Sequence, residues 1–532
     1  MTKKKVFIFF ILILAIASFF RLWQLNSIPP GLYPDEAING NDAIFALEND
    51  QYKLFYPENN GREGFFINLI ALSFKIFGVH IWSLKLIGAL IGILTVLGLY
   101  FLTKELFNSR YLALLSSYFL AISFWHVNFS RIGFRGIMVP FCLIWSFYFL
   151  FKALNLRQIH KSNAITSLAL SGFFFGLGFH TYIAFRVAVI ILIIPIIMIL
   201  IKFWKGARSH FWQYGVWPLM IIAVALPIGI YFLQNPQDFI GRAGGVSVFS
   251  QESPLKSMAL SIIKTLGMFN IAGDQNWRHN FAGSSQLFWP IGILFLIGFI
   301  ISIKNLIGLI KKKSFSHLFF AHLLLIFWFF VMLLPAILTY EAIPHALRCI
   351  GAIPVCYIFA ALGFIWLFKK LKQLFVLKKL NLSLVYCLLI VILFGVGFAQ
   401  YDKYFIDWAR QPDVENAFAK NYVEIGGYLN NLSPEITRYV IVNQPGVLVK
   451  NIPMPAQTVM FIEKIKSLGS RGTDIKQETK YLLPEEIDKI GFYEKMMVIP
   501  LQYDIEIFRK LKEKFPQGKV KFQESFWVFE IK

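Results

Sequence analysis

Apolar runs recur along most of the chain. Helices need ~20 residues to cross a hydrocarbon core of ~30 Å, and stretches of that length fall at about 6–25, 82–103, 111–130, 136–155, 163–182, 185–203, 214–233, 286–308, 317–338, 349–368 and 381–400. Two long connections interrupt them. The first, 26–81, contains two apolar-periodic stretches, Ala37 to Leu47 and Phe65 to Phe77, each too short to span and expected to lie along the membrane interface. The second, 234–285, is rich in Gly, Asn and aromatics, as in Asp274-Gln275-Asn276-Trp277-Arg278-His279-Asn280, and suits a surface loop over a substrate cavity.

Beyond residue 401 the pattern changes. Apolar runs shorten to strand length, as in Tyr439-Val440-Ile441-Val442 and Met496-Met497-Val498-Ile499, and helical patterns such as Val414 to Leu432 and Ile505 to Phe515 alternate with them. This predicts a small α/β domain of roughly 130 residues, large enough for its own core. It contains no phosphate loop, metal cluster or nucleophile elbow, which points to recognition or packing.

Composition agrees with this division. With 57% hydrophobic and 15% charged residues, and a mean hydropathy of +0.60, the chain has more apolar surface than a soluble core can use. The expected fold class is an all-α polytopic membrane domain of about 11 transmembrane helices over 1–400, followed by a small extracytoplasmic α/β domain over 401–532.

The net charge of +22 could suggest a nucleic-acid partner, but the placement of the charges argues against one. Lys3, Lys4 and Lys5, then Lys104 and Arg110, Lys152, Arg157 and Lys161, Lys202, Lys205 and Arg208, Lys311 to Lys313, and Lys369 to Lys379 fall in alternate short connections. This is the positive-inside pattern. It predicts a multi-pass protein of the cell membrane with a cytoplasmic N-terminus, both long loops outside, and the C-terminal domain extracytoplasmic. The first span has the outline of a signal peptide, but its apolar run continues through Phe19, Phe20, Leu22 and Trp23, as in a retained anchor. Cys142, Cys349, Cys356 and Cys387 all fall within predicted spans and read as small core residues.

The chemical lead is Asp35-Glu36, in Gly31-Leu32-Tyr33-Pro34-Asp35-Glu36 just after the first span. A carboxylate held at the bilayer surface can take a proton from an acceptor whose partner substrate is carried by a lipid. Spacing alone supports equally well a helix cap at Asp35. Other ionisable residues lie in outer connections, where the orientation rule does not call for positive charge: Arg131 and Arg135, then His180, Tyr182 and Arg186, then Glu341, His345 and Arg348. Singly, any of the arginines could be a snorkelling anchor. Together they suit an anionic lipid phosphate, which Arg can clamp bidentately.

Four segments carry a family resemblance: Tyr33-Pro34-Asp35-Glu36; Gly61-Arg62-Glu63-Gly64-Phe65-Phe66; Phe77-Gly78-Val79-His80-Ile81-Trp82-Ser83-Leu84-Lys85; and Ser130-Arg131 through Gly136. Over roughly residues 1–400 the chain resembles bacterial polyprenyl-phosphate-dependent glycosyltransferases of the C-type (GT-C) fold, of glycosyltransferase family 39, relatives of the protein O-mannosyltransferases and aminoarabinose transferases. The resemblance implies a hexosyl- or pentosyltransferase that moves a sugar from a polyprenyl-phosphate donor to a lipid, glycan or protein acceptor, with Asp35 at the catalytic acidic position and Glu36 beside it. Arg62, Glu63, Lys85, His180 and Tyr182 are further candidates. Gly64 and Lys85 depart from the family, which often has proline and arginine there.

These residues imply a single in-line displacement, with Asp35 as general base and Arg131, Arg135, Arg186, His345 and Arg348 at the donor phosphate. A divalent metal ion could share that role through Asp35 or Glu36, although no ligand spacing demands one. The alternative is a transporter or flippase of a lipid-linked sugar. Against it, the spans show no internal repeat and no matched pair of broken helices.

Overall fold

The computed structural model describes residues 2–155, 161–204, 213–379, 381–469 and 478–531. Among these, nine helices are long and apolar enough to cross a membrane: Lys3–Leu22, Ile81–Phe107, Arg135–Leu154, Ile183–Ile201, Gln213–Gln234, Trp289–Lys311, His317–Ile337, Ile350–Leu377 and Leu382–Trp408. The other two predicted spans are helical as well. The stretch 111–130 is a bent pair, Arg110–Ala121 and Phe124–Arg131, turning by 57°, and 163–182 contains the shorter apolar helix Asn163–Gly178. The chain is a multi-pass membrane protein. Arg157, Lys205 and Arg208 of the predicted cytoplasmic connections lie outside the described residues. Cys142, Cys349 and Cys356 are buried, but Cys387 is exposed, so the core reading fits only three of the four.

The chain divides into two compact units. The first consists of Met1–Trp23 and Gly88–Trp408. Backbone carbonyls released at the bend near residue 122 have no water to turn to at membrane depth and must find donors within the protein. Arg21, fully buried, supplies them: Nη1 donates to the Ala121 carbonyl at 2.9 Å and Nη2 to that of Leu120 at 3.3 Å. Ser123 starts the second half of the pair, its Oγ accepting from the His126 amide at 3.2 Å. Elsewhere in this unit, helix Trp289–Lys311 crosses Ile353–Leu377 at two glycines. A Cβ on Gly298 would lie 1.7 Å from the Phe359 carbonyl oxygen, and one on Gly363 2.0 Å from that of Leu294. Small residues at such a crossing let two backbones touch where no hydrophobic force drives helices together.

The second unit consists of Gln24–Ile87 and Ala409–Lys532. Its sheet runs in the order Lys480–Leu482, Thr437–Ile441, Met496–Pro500, Phe526–Ile531, Lys519–Gln523, the first three strands parallel and the last two joined antiparallel. Strand alternation sends Val440, Ile499 and Val528 into one core and Ile441, Val498 and Phe529 into the other. The stretch predicted as one helix from Val414 to Leu432 is two, Pro412–Ala417 and Lys420–Asn431, separated at Ala419, whose φ is 50°.

Helix Pro34–Asn49 belongs to this unit and packs on helix Ala456–Gly469. Gly40 makes the approach possible, since a Cβ there would sit 2.5 Å from the Phe461 ring. Asn41 Nδ2 donates to the Gln457 carbonyl and Oε1, both at 3.0 Å, and Thr458 Oγ1 donates to the Leu32 carbonyl at 2.9 Å.

The glycine crossing makes a prediction. Gly363→Leu cannot be absorbed by a rotamer change, because the obstructing atoms are backbone, so it is expected to cost more than the ~1–3 kcal/mol of ordinary overpacking. Thermal unfolding in detergent should show a markedly lowered midpoint, whereas Gly395→Ala, at a glycine with open space around it, should leave it nearly unchanged.

Candidate active site

Asp35 lies in the first turn of helix Pro34–Asn49, with Tyr33 at the cap position and Pro34 opening the helix. The helix therefore starts three residues before the expected Ala37, and Asp35 stands inside it rather than at its cap. A carboxylate there faces the partial positive charge of the helix N-terminus. Asp35 is half-buried and its Oδ1 accepts from the Asn59 side-chain amide, whereas Glu36 is fully buried. Consecutive helical residues point about 100° apart, and here that separates a carboxylate open to the surroundings from one enclosed in the core.

Two buried cations hold this segment. Lys85, fully buried, donates from Nζ to the carbonyls of Pro29 and Gly31, both at 3.3 Å, and so ties down the loop that delivers Pro34 and Asp35. Arg62 stands in strand Arg62–Glu63, paired with Phe55–Tyr56, and both of its residues are buried. Its Nη1 donates to Asn39 Oδ1 at 2.9 Å and its Nη2 to Asp42 Oδ2 at 2.5 Å, bridging successive turns of the Asp35 helix. Burial pushes the Asp42 carboxyl above its ordinary value, even against the pull of Arg62.

The remaining candidates lie in the other unit, and the structure gives them several different settings. Arg131 is fully buried, donating to the carbonyls of Phe20 at 3.0 Å and Trp23 at 2.7 Å, with its guanidinium 5.1 Å from the Phe405 ring centre. Arg135 lies 5.5 Å from the Tyr182 ring centre. His180 Nε2 is 2.8 Å from the Val224 carbonyl oxygen. Arg348 donates to Thr339 Oγ1 and to the Glu341 carbonyl, both at 2.7 Å, with the Glu341 carboxylate at 3.5 Å. Arg186 donates to the Phe239 carbonyl at 2.7 Å and stacks between Phe232 and Phe239, 4.8 and 4.2 Å from their ring centres. It is the charged residue of a cavity of about 680 Å³ whose other walls are apolar, among them Leu226, Phe232 and Ile240.

His345 comes together with two residues that the sequence reading quoted but did not single out, Asp274 and His279. One potential ligand atom from each of the three lies within 4.8 Å of the others. Asp274 Oδ2 accepts from His279 Nδ1 at 3.0 Å and from the Ala346 amide at 2.8 Å, and His345 Nδ1 is 3.9 Å from it. Burial would raise the Asp274 carboxyl, but the His279 hydrogen bond, the charges of the two imidazoles and the Ala346 amide together hold it below the usual carboxylate range. Two imidazoles and a carboxylate form a donor set suited to a divalent transition metal. The local signal was an Asp and a His five positions apart in the long loop 234–285. Their meeting with His345 is tertiary and had no sequence signal.

The Arg62–Asp42 pair predicts a pH-dependent defect. In Arg62→Met the Asp42 carboxylate loses its cation while still mostly enclosed, which should cost about 2–3 kcal/mol, less than for a fully buried pair. Asp42 binds its proton more tightly folded than unfolded, so the stability linked to it is greatest below the unfolded pKa and is lost as pH rises through the folded one. Denaturant titrations of the variant should therefore show it closer to wild type at pH 5 than at pH 8, and an equal gap at both would contradict the assignment.

Comparison with known proteins places this geometry. Residues 65–231 match the family described as dolichyl-phosphate-mannose-protein mannosyltransferase. No curated protein matches the sequence. Among solved structures, ArnT from Cupriavidus metallidurans bound to undecaprenyl phosphate is 11% identical with a TM-score of 0.57, covering 100% of this chain and 98% of that one. The apo oligosaccharyltransferase of Archaeoglobus fulgidus is 15% identical with a TM-score of 0.52, covering 86% of this chain. The oligosaccharyltransferase AglB from Archaeoglobus fulgidus, in complex with an inhibitory peptide and a dolichol-phosphate, is 14% identical with a TM-score of 0.52, covering 85% of this chain and 63% of that one. The chain spans 64% of the length of the apo archaeal protein. The chain shares the fold of these membrane glycosyltransferases, and its family match is confined to residues 65–231.

Proposed function

We propose that the protein transfers a hexosyl or pentosyl group from a polyprenyl-phosphate donor to a lipid, glycan or protein acceptor on the outer face of the cell membrane, with inversion at the anomeric carbon. The observation that carries the reading is the placement of Asp35: a half-buried carboxylate in a first helical turn, on a helix fixed by buried Arg62 and reached through a loop fixed by buried Lys85. Fixing a base on a rigid element is what general-base catalysis requires. The polyprenyl-phosphate ligands of ArnT and AglB support the donor class, as does an apolar cavity with one arginine at its wall, which suits a lipid tail ending in phosphate.

In the proposed reaction the acceptor hydroxyl oxygen attacks the anomeric carbon as the bond from that carbon to the phosphate oxygen breaks. The hydroxyl proton passes to Asp35 and the electron pair leaves with polyprenyl phosphate. Arg348, His345, Arg131, Arg186 and Arg135 are the proposed stabilisers of that leaving group. A divalent cation on Asp274, His279 and His345 would supply further positive charge to a phosphate; Asp35 is proposed separately, as a ligand in place of that group. The division into a catalytic membrane part up to residue 400 and an outer α/β domain belongs to the same proposal.

Asp35→Asn keeps size and the contact with Asn59 while removing the base. Assayed in detergent with synthetic polyprenyl-phosphate sugars, it should lower transfer by at least ~100-fold and leave the melting temperature near wild type. Destabilised protein with near-normal turnover per folded molecule would sink the assignment, and intact donor redistributed across a bilayer without bond cleavage would favour a transporter.

The metal site is checked separately. Chelator-treated protein should take up one equivalent of Zn²⁺, and Asp274→Asn or His279→Ala should abolish that uptake. Undiminished uptake in both variants would remove the triad as the site.

A further inference from the structure

The second unit contains a cavity of about 590 Å³ that the proposed reaction does not use, within the ~300–1,000 Å³ range of small-molecule sites. One wall is the helix that bears Asp35, through Ile38, Asn41, Asp42 and Phe45. The opposite walls come from the C-terminal domain, through residues such as Arg438 and Gln457. Asp35 and Asp42 are seven residues apart and so lie on nearly the same helical face, about 10 Å apart along the axis.

The lining is mostly polar and carries both signs of charge. Two of its acids have partners: Asp42 pairs with Arg62, and Glu463 accepts from Thr479 and from the Tyr481 hydroxyl. Among the buried side-chain atoms of the lining residues, two have no hydrogen-bond partner. Asn41, 8% exposed, donates through Nδ2 but its Oδ1 has no hydrogen-bond partner, and Arg438, 2% exposed, donates through Nη2 but its Nε has none. Buried polar atoms left unsatisfied are costly and point to a missing ligand or water. Phe45 adds a half-buried ring, with the exposed Lys450 ammonium 5.2 Å from its centre.

We propose that this cavity binds the carbohydrate portion of the acceptor, as a neutral oligosaccharide of two or three sugars whose reacting hydroxyl reaches toward Asp35. A sugar fits on chemical grounds. Each hydroxyl both donates and accepts, so one ligand can bond to the acidic and the basic side chains of the lining together, while the C–H face of a pyranose packs on the Phe45 ring. Balanced charge in the lining argues against a strongly anionic ligand. The proposal rests on the glycosyl-transfer reading above.

The protein in nanodiscs is tested by saturation-transfer NMR and calorimetry with maltotriose, chitotriose and mannotriose. At least one trisaccharide should bind at millimolar or better affinity, and Asn41→Ala and Lys450→Glu should each weaken it about tenfold, Lys450→Glu with an unchanged melting temperature. Lys450 is exposed, so its variant tests the cavity even where Asn41→Ala fails to fold. Asp35→Asn should bind the trisaccharide as wild type does while losing transfer. Normal transfer in that variant would overturn the catalytic reading alone, because the binding result stands without it. Overturning the cavity proposal would take no binding of any of the three sugars, equal binding by wild type and Lys450→Glu, or preferential binding of inorganic pyrophosphate.

Discussion

The structure depends on three buried cations that end on backbone carbonyls. Arg21 takes the carbonyls of Ala17, Leu120 and Ala121, Arg131 takes those of Phe20 and Trp23, and Lys85 takes those of Pro29 and Gly31. Apart from Ala17, inside helix Lys3–Leu22, the acceptors lie at a helix end or in a loop, where intrahelical partners run out. Without water to solvate either side, the orphaned carbonyl and the desolvated cation satisfy each other. Irregular backbone thereby becomes permissible where hydrocarbon would otherwise forbid it.

This arrangement bears on the proposed function, because one of the irregular segments leads to the proposed base. Gly31, whose carbonyl Lys85 holds, lies four residues before Asp35. It has a φ of 79°, and a Cβ there would come within 2.4 Å of the Phe418 carbonyl oxygen. Only glycine satisfies both conditions. Lys85 from one side and the Thr458 hydroxyl on Leu32 from the other fix the same short loop. The departure of Lys85 from the family arginine is chemically coherent here, since a compact ammonium can reach two carbonyls without needing a planar fork.

The spans were legible because the signal for them is local: a run of apolar residues of bilayer length, with lysines at alternate ends. Strands Thr437–Ile441 and Met496–Pro500 were legible for a similar reason, being continuous apolar runs buried on both faces. Strand Lys519–Gln523 lies at the sheet edge and is mostly exposed, so Lys-Val-Lys-Phe-Gln carries no comparable apolar run. The bend between Ala121 and Phe124 was hidden because Ile122-Ser123 is unremarkable until Arg21, a hundred positions away, supplies donors for it. At the candidate site, Asp35 stood out through its segment. The grouping of Asp274, His279 and His345 did not, since it joins residues more than 60 positions apart.

The two aspartates also show why composition alone does not assign a role. Asp274 has backbone amides on both oxygens, Asn276 on Oδ1 and Ala346 on Oδ2, as well as the His279 ring. Such a carboxylate is held as an anion and orients its imidazole neighbours, and taking up a proton would break several bonds at once. Asp35 accepts from one side-chain amide and is partly open to its surroundings. A general base must gain a proton in the transition state, so the less encumbered carboxylate suits that task and the fully bonded one suits fixing charge in place. The same argument separates Asp35 from Glu36 beside it. Glu36 is enclosed, and of the two carboxylates Asp35, which the helix turns outward, is the one suited to the proposed role of base.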